Sequence, residues 1–304
     1  YERTDVTVRA DGTIRVVIGT QASGQGHQTS FAQVVAGTLG VPMETVAIEF
    51  GDSDQAAAGS GSHADRSMRL GGTILVQACE DILEQGRLRA AECFDHSAVE
   101  IPAVEIPAVE TAATELTYTD GRFVAADKRA VSLFELAADS SLTATADISA
   151  RLHAHPNGVA ACEVEIDPET GALAVTRYVS VDDVGRAINP MIVEGQLHGG
   201  SVQGIGEAVL EEVVYDNDTG QLLNGSFIDY GLPSTTDAPS LESRIEERLT
   251  ASNPLGVKGA GEAGITPAGA VIVSAAVDAL RPFGVKHLDT PLSPERIWTA
   301  ISGA

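Results

Sequence analysis

"RVVIGTQASGQGHQTSFAQVVAGTL", residues 15–39, decides how this chain is read. Together with "YERTDVTVRADGT" before it, the first part gives strand, Asp-Gly turn, strand, because apolar and polar residues alternate on both sides of Asp11-Gly12. The last part is helical: Phe31, Val34, Val35 and Leu39 recur at the spacing of one helix face. Between them lie Gly19, Gly24 and Gly26, with Gln25 and His27, at the approach to the helix. Bare backbone N–H groups and the helix dipole at such a place suit an anionic ligand.

Working outward, "METVAIEFGDSD" reads as a further strand, so the order is strand, strand, helix, strand. A second glycine-rich loop, "AAAGSGSHADRSMRLGG" (56–72), precedes a helix expected from about Thr73 to Phe94, with Ile74, Ala78, Ile82 and Leu88 along its apolar side. Residues 98–110, "AVEIPAVEIPAVE", repeat a five-residue unit whose prolines forbid a continuous helix; they read as a linker or loop insertion. Residues 158–185 alternate around Asp-Pro-Glu-Thr-Gly as a hairpin. A helix over about Met191–Leu210 contains Gly195, Gly199, Gly200, Gly204 and Gly206. Each interior glycine costs up to ~1 kcal/mol against alanine, so the backbone there must approach something closely, either a packed neighbour or a ligand. A third glycine-rich loop, "NPLGVKGAGEAG", leads into a helix over about Pro267–Leu280, and Ser293-Pro294 starts a short terminal helix. Hairpins mixed with helices indicate an α+β fold in two subdomains, 1–150 and 151–304, the linker repeat lying in the first.

Composition narrows the function. The 304 residues are 43% apolar, enough for a substantial core, and carry 43 acidic against 19 basic residues, a formal charge of -24. Nucleic acid and anionic membranes are unsuited partners for such a surface. Only Lys128, Lys258 and Lys286 are lysines, and an acidic, Lys-poor chain reads either as a solvated acidic surface or as that of a halophilic host, where salt screens its self-repulsion. Cys79, Cys93 and Cys162 form no metal or disulfide pattern and are expected to be small buried hydrophobes. With no apolar run of membrane length and no leader pattern at the first residues, the chain is expected to be soluble and cytoplasmic. Its abrupt start in a strand suggests a piece of a longer polypeptide or a split subunit.

No loop is a phosphate fingerprint by itself: "GTQASGQG" lacks the Lys-Ser/Thr of a P-loop. In combination, "GQGHQT", "GSHADRS", "VDDVGRAINP", "EGQLHGGSVQGIGEA", "GSFIDYGLP", "GVKGAGEAG" and "HLDTPLSPERIW" carry a specific likeness. The chain resembles the C-terminal half of the molybdenum-binding large subunit of the xanthine dehydrogenase, aldehyde oxidase and carbon monoxide dehydrogenase family, over most of its length and most weakly at 98–150.

That resemblance implies a molybdopterin cofactor-binding fold and a molybdenum hydroxylase that oxidises an aldehyde, an N-heterocycle or a carbon monoxide-like substrate with water-derived oxygen. Gln25, Gly26, His27 and Thr29 would grip the pterin and its pyrophosphate. Ser62, Asp65, Arg66 and Ser67 would lie near the phosphate or nucleotide, although "GSHADRS" is looser than the family form. Gln196, Lys258, Gly259 and Gly261 would sit near the cofactor, Lys258 being otherwise a loop surface cation. Glu262 would be the catalytic base. The implied cofactor is a molybdenum–molybdopterin cytosine dinucleotide, with the metal held by the pterin dithiolene and by no protein ligand. Iron-sulfur clusters and FAD would belong to partner subunits. The partners implied are the N-terminal half of the large subunit, an iron-sulfur subunit and an FAD subunit, and the isolated chain would be inactive. The rival reading is an assembly module that keeps the fold and no longer holds the cofactor.

Overall fold

The computed structural model describes residues 1–96 and 115–303, so the repeat at 98–110 lies outside the described residues. The chain divides into two compact units, one of Tyr1–His153 with Ala251–Gly256, the other of Ala154–Thr250 with Val257 onward.

In the first unit the elements run β1 (Glu2–Val8), β2 (Ile14–Ile18), α1 (His27–Leu39), β3 (Val46–Glu49), α2 (Thr73–His96), β4 (Thr117–Thr119), β5 (Arg122–Val124), β6 (Ala130–Ser132), α3 (Leu133–Leu136) and β7 (Leu142–Ile148). One sheet has the order β3-β2-β1-β7, with β1 antiparallel to both neighbours and β2 parallel to β3. A parallel pair cannot be joined by a tight turn; the connection carries the glycine loop and α1. Val6, Val8, Ile14, Val16 and Ile18 of the sheet are buried, as are Phe31, Val35 and Leu39 of α1 and Ile74, Ala78 and Ile82 of α2. Strands β4, β5 and β6 make a separate antiparallel sheet.

Two expectations need correction in this unit. Leu88 is exposed, and the apolar side of α2 runs on through Gly86 and buried Ala90. Six residues beyond Ile82 carry the helix well off the stripe, whereas four and eight stay on it. A Cβ on Gly86 would sit 2.7 Å from the Phe123 ring, so that glycine admits the neighbouring aromatic. Cys93 is likewise exposed, whereas Cys79 is buried and Cys162 half-buried.

The second unit contains β8 (Asn157–Ile166), β9 (Leu173–Asp183), α4 (Pro190–Val209), β10 (Ser240–Glu246), α5 (Ile265–Ala279) and α6 (Pro294–Ser302). Its sheet has the order β10-β9-β8, with β8 and β9 a hairpin and β10 parallel to β9. Asp167 fixes the hairpin turn by accepting from Glu169 N (2.9 Å) and Thr170 Oγ1 (2.8 Å). Val175, Ile205, Ala208, Ile272, Ala276, Leu280, Leu292 and Ile297 form the core. Asn189 caps α4 through Ile192 N, with Pro190 at its first position, and Ser293 caps α6 through Arg296 N. Helix α5 begins two residues before Pro267, because a proline in the first turn removes no intrahelical hydrogen bond.

Much of the glycine density of α4 serves α5. A Cβ on Gly200 would lie 2.9 Å from Ile265 N, one on Gly204 would overlap the Ala268 side chain, and one on Gly264 would lie 2.9 Å from Ser201 N. Gly195 and Gly199 differ: among the described residues, and apart from the helix's own backbone, nothing lies within 4 Å of the place a Cβ would take.

Candidate functional site

The glycine loop of residues 19–26 is fixed by a backbone-to-backbone contact. A Cβ on Gly19 would stand 2.5 Å from Gly59 Cα, and one on Gly59 would meet the Gly19 backbone in turn. This brings the loop ahead of α1 against the "GSGSHADRS" loop. Beneath them Glu2 is fully buried; it accepts from Thr20 Oγ1 (2.6 Å) and pairs with Arg66 (2.9 Å). Arg66 also donates to the Gly61 and Tyr1 carbonyls. This guanidinium is therefore turned inward, and its charge is answered by Glu2.

Above this pair the sequence candidates converge on one hydroxyl. Gln25 Nε2 donates to Ser62 Oγ (2.7 Å), His27 Nε2 lies 3.1 Å from it, and Ser67 Oγ lies 2.7 Å from it. Gln25 also accepts from Ser23 N. Buried and stacked on Phe31 with ring centroids 5.0 Å apart, His27 has its pKa lowered to about 4 by burial, so it is neutral at pH 7. With the imidazole proton assigned to Nδ1, Ser62 donates to His27 and accepts from Gln25 and Ser67, which fills its one donor and two acceptor positions.

Gly26 supplies the last residue before α1 in the left-handed conformation, φ 73°, with no side-chain cap; its carbonyl accepts from Thr29 N and Ser30 N (3.1 Å each), which leaves the His27 and Gln28 amides as the first-turn donors that suit an outside acceptor. Thr29 is exposed in that first turn. Asp65 follows Ala64 with both at positive φ, 53° and 50°, a paired departure costing about 1–3 kcal/mol per residue. Ser67 opens a single π-helical turn, Ser67–Gly72, that feeds α2; such turns recur at functional sites.

In the second unit Lys258 is committed to Asp183, Nζ to Oδ2 at 2.6 Å, with both side chains 10% exposed. It is therefore not a surface cation, and its ammonium is turned inward to that carboxylate. Asp183 Oδ1 further accepts from Gly185 N (3.0 Å) and Arg248 N (3.2 Å). Burial would raise the Asp183 carboxyl, but the Lys258 ammonium and these backbone N–H groups outweigh it and hold the pKa below the usual carboxylate range. Its neighbour Asp182, on the opposite face of β9, is pushed upward by burial, and its Oδ2 is buried without a partner. Two adjacent carboxyls are thus driven apart by the two faces of one strand.

Asp183 is the residue that sequence reasoning missed. "VDDVG" was conspicuous, but its partner lies 75 residues away. The pair anchors the loop that carries buried Gly259, exposed Gly261 and Glu262, since Lys258 N also donates to Val184 O (2.8 Å). Glu262 is exposed, and its carbonyl accepts from Thr266 N (3.1 Å) and Oγ1 (2.7 Å), which starts α5. Half-buried Gln196 lies on α4, next to the Leu197 carbonyl that the Gly264 backbone overlies. Gln25, His27, Ser62 and Ser67 therefore meet in one unit, and the segments of Gln196 and Glu262 meet in the other.

Comparison with known proteins gives a consistent picture. The profile of the molybdopterin cofactor-binding domain matches residues 1–239. The nicotine 6-hydroxylase large subunit of Paenarthrobacter nicotinovorans is 34% identical over 320 residues, covering all of this chain and 37% of that protein. Among solved structures, quinoline 2-oxidoreductase from Pseudomonas putida 86 superposes with a TM-score of 0.83 at 33% identity, over 99% of this chain and 38% of that one. Reconstituted CO dehydrogenase from Oligotropha carboxidovorans gives 0.85 at 26% identity, over 100% and 37%. The chain thus spans well under half the length of these relatives. A profile matched over most of the chain, on a fold that these two enzymes share, establishes that the chain belongs to the molybdopterin cofactor-binding domain family of molybdenum-binding large subunits.

Proposed function

We propose that the chain is the cofactor-gripping, base-bearing portion of a molybdenum hydroxylase. Its cofactor would be the cytosine dinucleotide form of molybdopterin, and its substrate an aldehyde, an N-heterocycle or a carbon monoxide-like molecule. The observation that carries this reading is the hydroxyl of Ser62 with Gln25, His27 and Ser67 around it at the open N-terminus of α1. The residues fit the group: the sides of Gly24 and Gly61 that a Cβ would fill are open, and the polar side chains are neutral hydrogen-bonding groups.

Both cations nominated from the sequence, Arg66 and Lys258, are answered by internal carboxylates, so negative charge on the ligand would be met by backbone N–H groups and the α1 dipole. When bound, the cofactor supplies two-electron redox chemistry and the activation of water. The chain's own part is proton transfer: the Glu262 carboxylate takes a proton from the water-derived nucleophile, held in place by the Asp183–Lys258 anchor behind it.

The commitment of Arg66 and Lys258 to internal ion pairs also favours a second reading, an assembly module without cofactor. Purifying the chain with its neighbouring subunits from a molybdate-fed host, then measuring molybdenum by mass spectrometry and acid-released nucleotide by chromatography, separates the two. Stoichiometric metal with CMP is the expected result; a folded, complete complex with neither supports the assembly module.

A further inference from the structure

The segment from Leu210 to Leu232 concentrates exposed large apolar side chains. Val213, Tyr215, Leu223, Phe227, Ile228 and Leu232 are all at least half exposed, Phe227 at 86% and Ile228 at 97%. Scattered surface apolar residues are ordinary, but six within one short segment, two of them adjacent and almost fully exposed, are a concentration that asks for a cover. The backbone beneath them is well tied. Tyr215 bridges Leu222, Leu223 N donates to Val214 O (2.8 Å), and Asn224 Oδ1 accepts from Val214 N (2.9 Å). Phe227 and Ile228 ride a turn closed by Tyr230 N donating to Ser226 O (2.8 Å) and by Ser226 Oγ donating to Asp229 (2.7 Å). Tyr230 OH in turn donates to Glu211 (2.7 Å). The apolar tips are therefore presented on an ordered frame.

We infer that this segment is the docking face for the portion of the large subunit that lies outside the matched stretch, whichever polypeptide carries it. Two observations select that occupant. Relatives extend far beyond the 37–38% of their length that this chain spans, so a large folded body accompanies this portion in them. The charge of the segment itself is one-sided: Glu211, Asp216, Asp218, Asp229 and Asp237 lie between residues 210 and 239, a stretch with no lysine or arginine, and of its acidic side chains Glu212 is answered by Arg296. That fits a partner face with an apolar centre and a basic rim and opposes pairing with a second copy of the same acidic patch. The inference rests on family membership and does not require retained cofactor.

The test replaces Ile228 by a photo-crosslinking benzoylphenylalanine in the complete enzyme, with the same replacement at exposed Leu88 as the control. Crosslinked peptides are identified by mass spectrometry. The expected partner peptide matches the part of the nicotine 6-hydroxylase large subunit that this chain does not cover, with a yield at least about tenfold above the control. Crosslinks to a second copy, to an iron-sulfur or flavin subunit, or at control yield overturn the proposal. As a second measurement, Phe227→Ser with Ile228→Ser should leave the melting midpoint of the isolated chain unchanged and weaken association with that portion by at least about tenfold. Undiminished association would equally overturn it.

Discussion

Lys258 Nζ lies 2.6 Å from Asp183 Oδ2 in a setting that leaves each side chain only 10% exposed, and the pair joins the end of β9 to the loop that leads to Glu262. Asp183 also holds two backbone N–H groups, so it acts as a knot between three segments of its unit.

Asp183→Asn should strand a buried ammonium and lower the stability of its unit by about 3 kcal/mol, read as a lower urea midpoint. The pH dependence has a definite sign. A carboxyl whose folded pKa lies below its unfolded value, about 3.9, contributes fully above that value and loses its contribution as pH falls through the folded pKa. The parent protein should therefore lose stability on acidification below about pH 4 more steeply than the Asn variant.

His27 has the opposite chemistry and a different window. Its folded pKa of about 4 lies below the ordinary value of 6.5, so as pH falls from 6.5 towards 4 the unfolded chain takes up a proton that the folded one refuses. Stability should decline over that interval by up to ~3 kcal/mol, and His27→Gln should remove the decline. An NMR titration that found the His27 imidazole charged at pH 5.5 in the folded protein would contradict the burial argument.

Gly195→Ala and Gly199→Ala replace glycines inside α4 where a methyl group meets nothing. Each should raise the stability of the isolated chain by about 0.5–1 kcal/mol through helix propensity alone. In the complete enzyme they should also lower molybdenum content, because α5 does not account for glycine at these two positions and a ligand is the other cause that the sequence offers for it. A stabilised enzyme with full metal would remove this face of α4 from the site.

Glu262→Gln should reduce hydroxylase turnover by about 10²–10⁴-fold in the cofactor-loaded complex while leaving molybdenum content and melting midpoint unchanged. The exposed position of Glu262 makes the stability half of that outcome specific. A large fall in metal content would instead make Glu262 a binding residue.

Local features were legible in the sequence because their causes are local. Phe31, Val34, Val35 and Leu39 marked α1 over the span it occupies, and Ser293-Pro294 marked the start of α6. The Asp-Gly and Asp-Pro-Glu-Thr-Gly turns marked the β1–β2 and β8–β9 hairpins, whereas the short strands β4, β5 and β6 went unread. What stayed hidden depends on distant partners. Nothing near Arg66 announces Glu2 at the chain's beginning, and nothing near Lys258 announces Asp183, so both cations read as available when they are answered internally. Parallel pairing of β10 with β9 was equally invisible, since no turn encodes it. The glycines of α4 carried a signal that packing explains in part: Gly200 and Gly204 answer to α5, while Gly195 and Gly199 face open space.

Residues Ala251–Gly256 complete the first unit, although both stretches that flank them in sequence belong to the second. Leu255 is part of that return: a Cβ on Gly72 would sit 2.7 Å from its methyl group. The two units are consequently laced rather than strung in series. Severing the polypeptide after His153 would not release two halves but leave the first with a missing stitch at the start of α2. For the same reason that unit cannot be finished until synthesis has passed Gly256, about a hundred residues beyond His153.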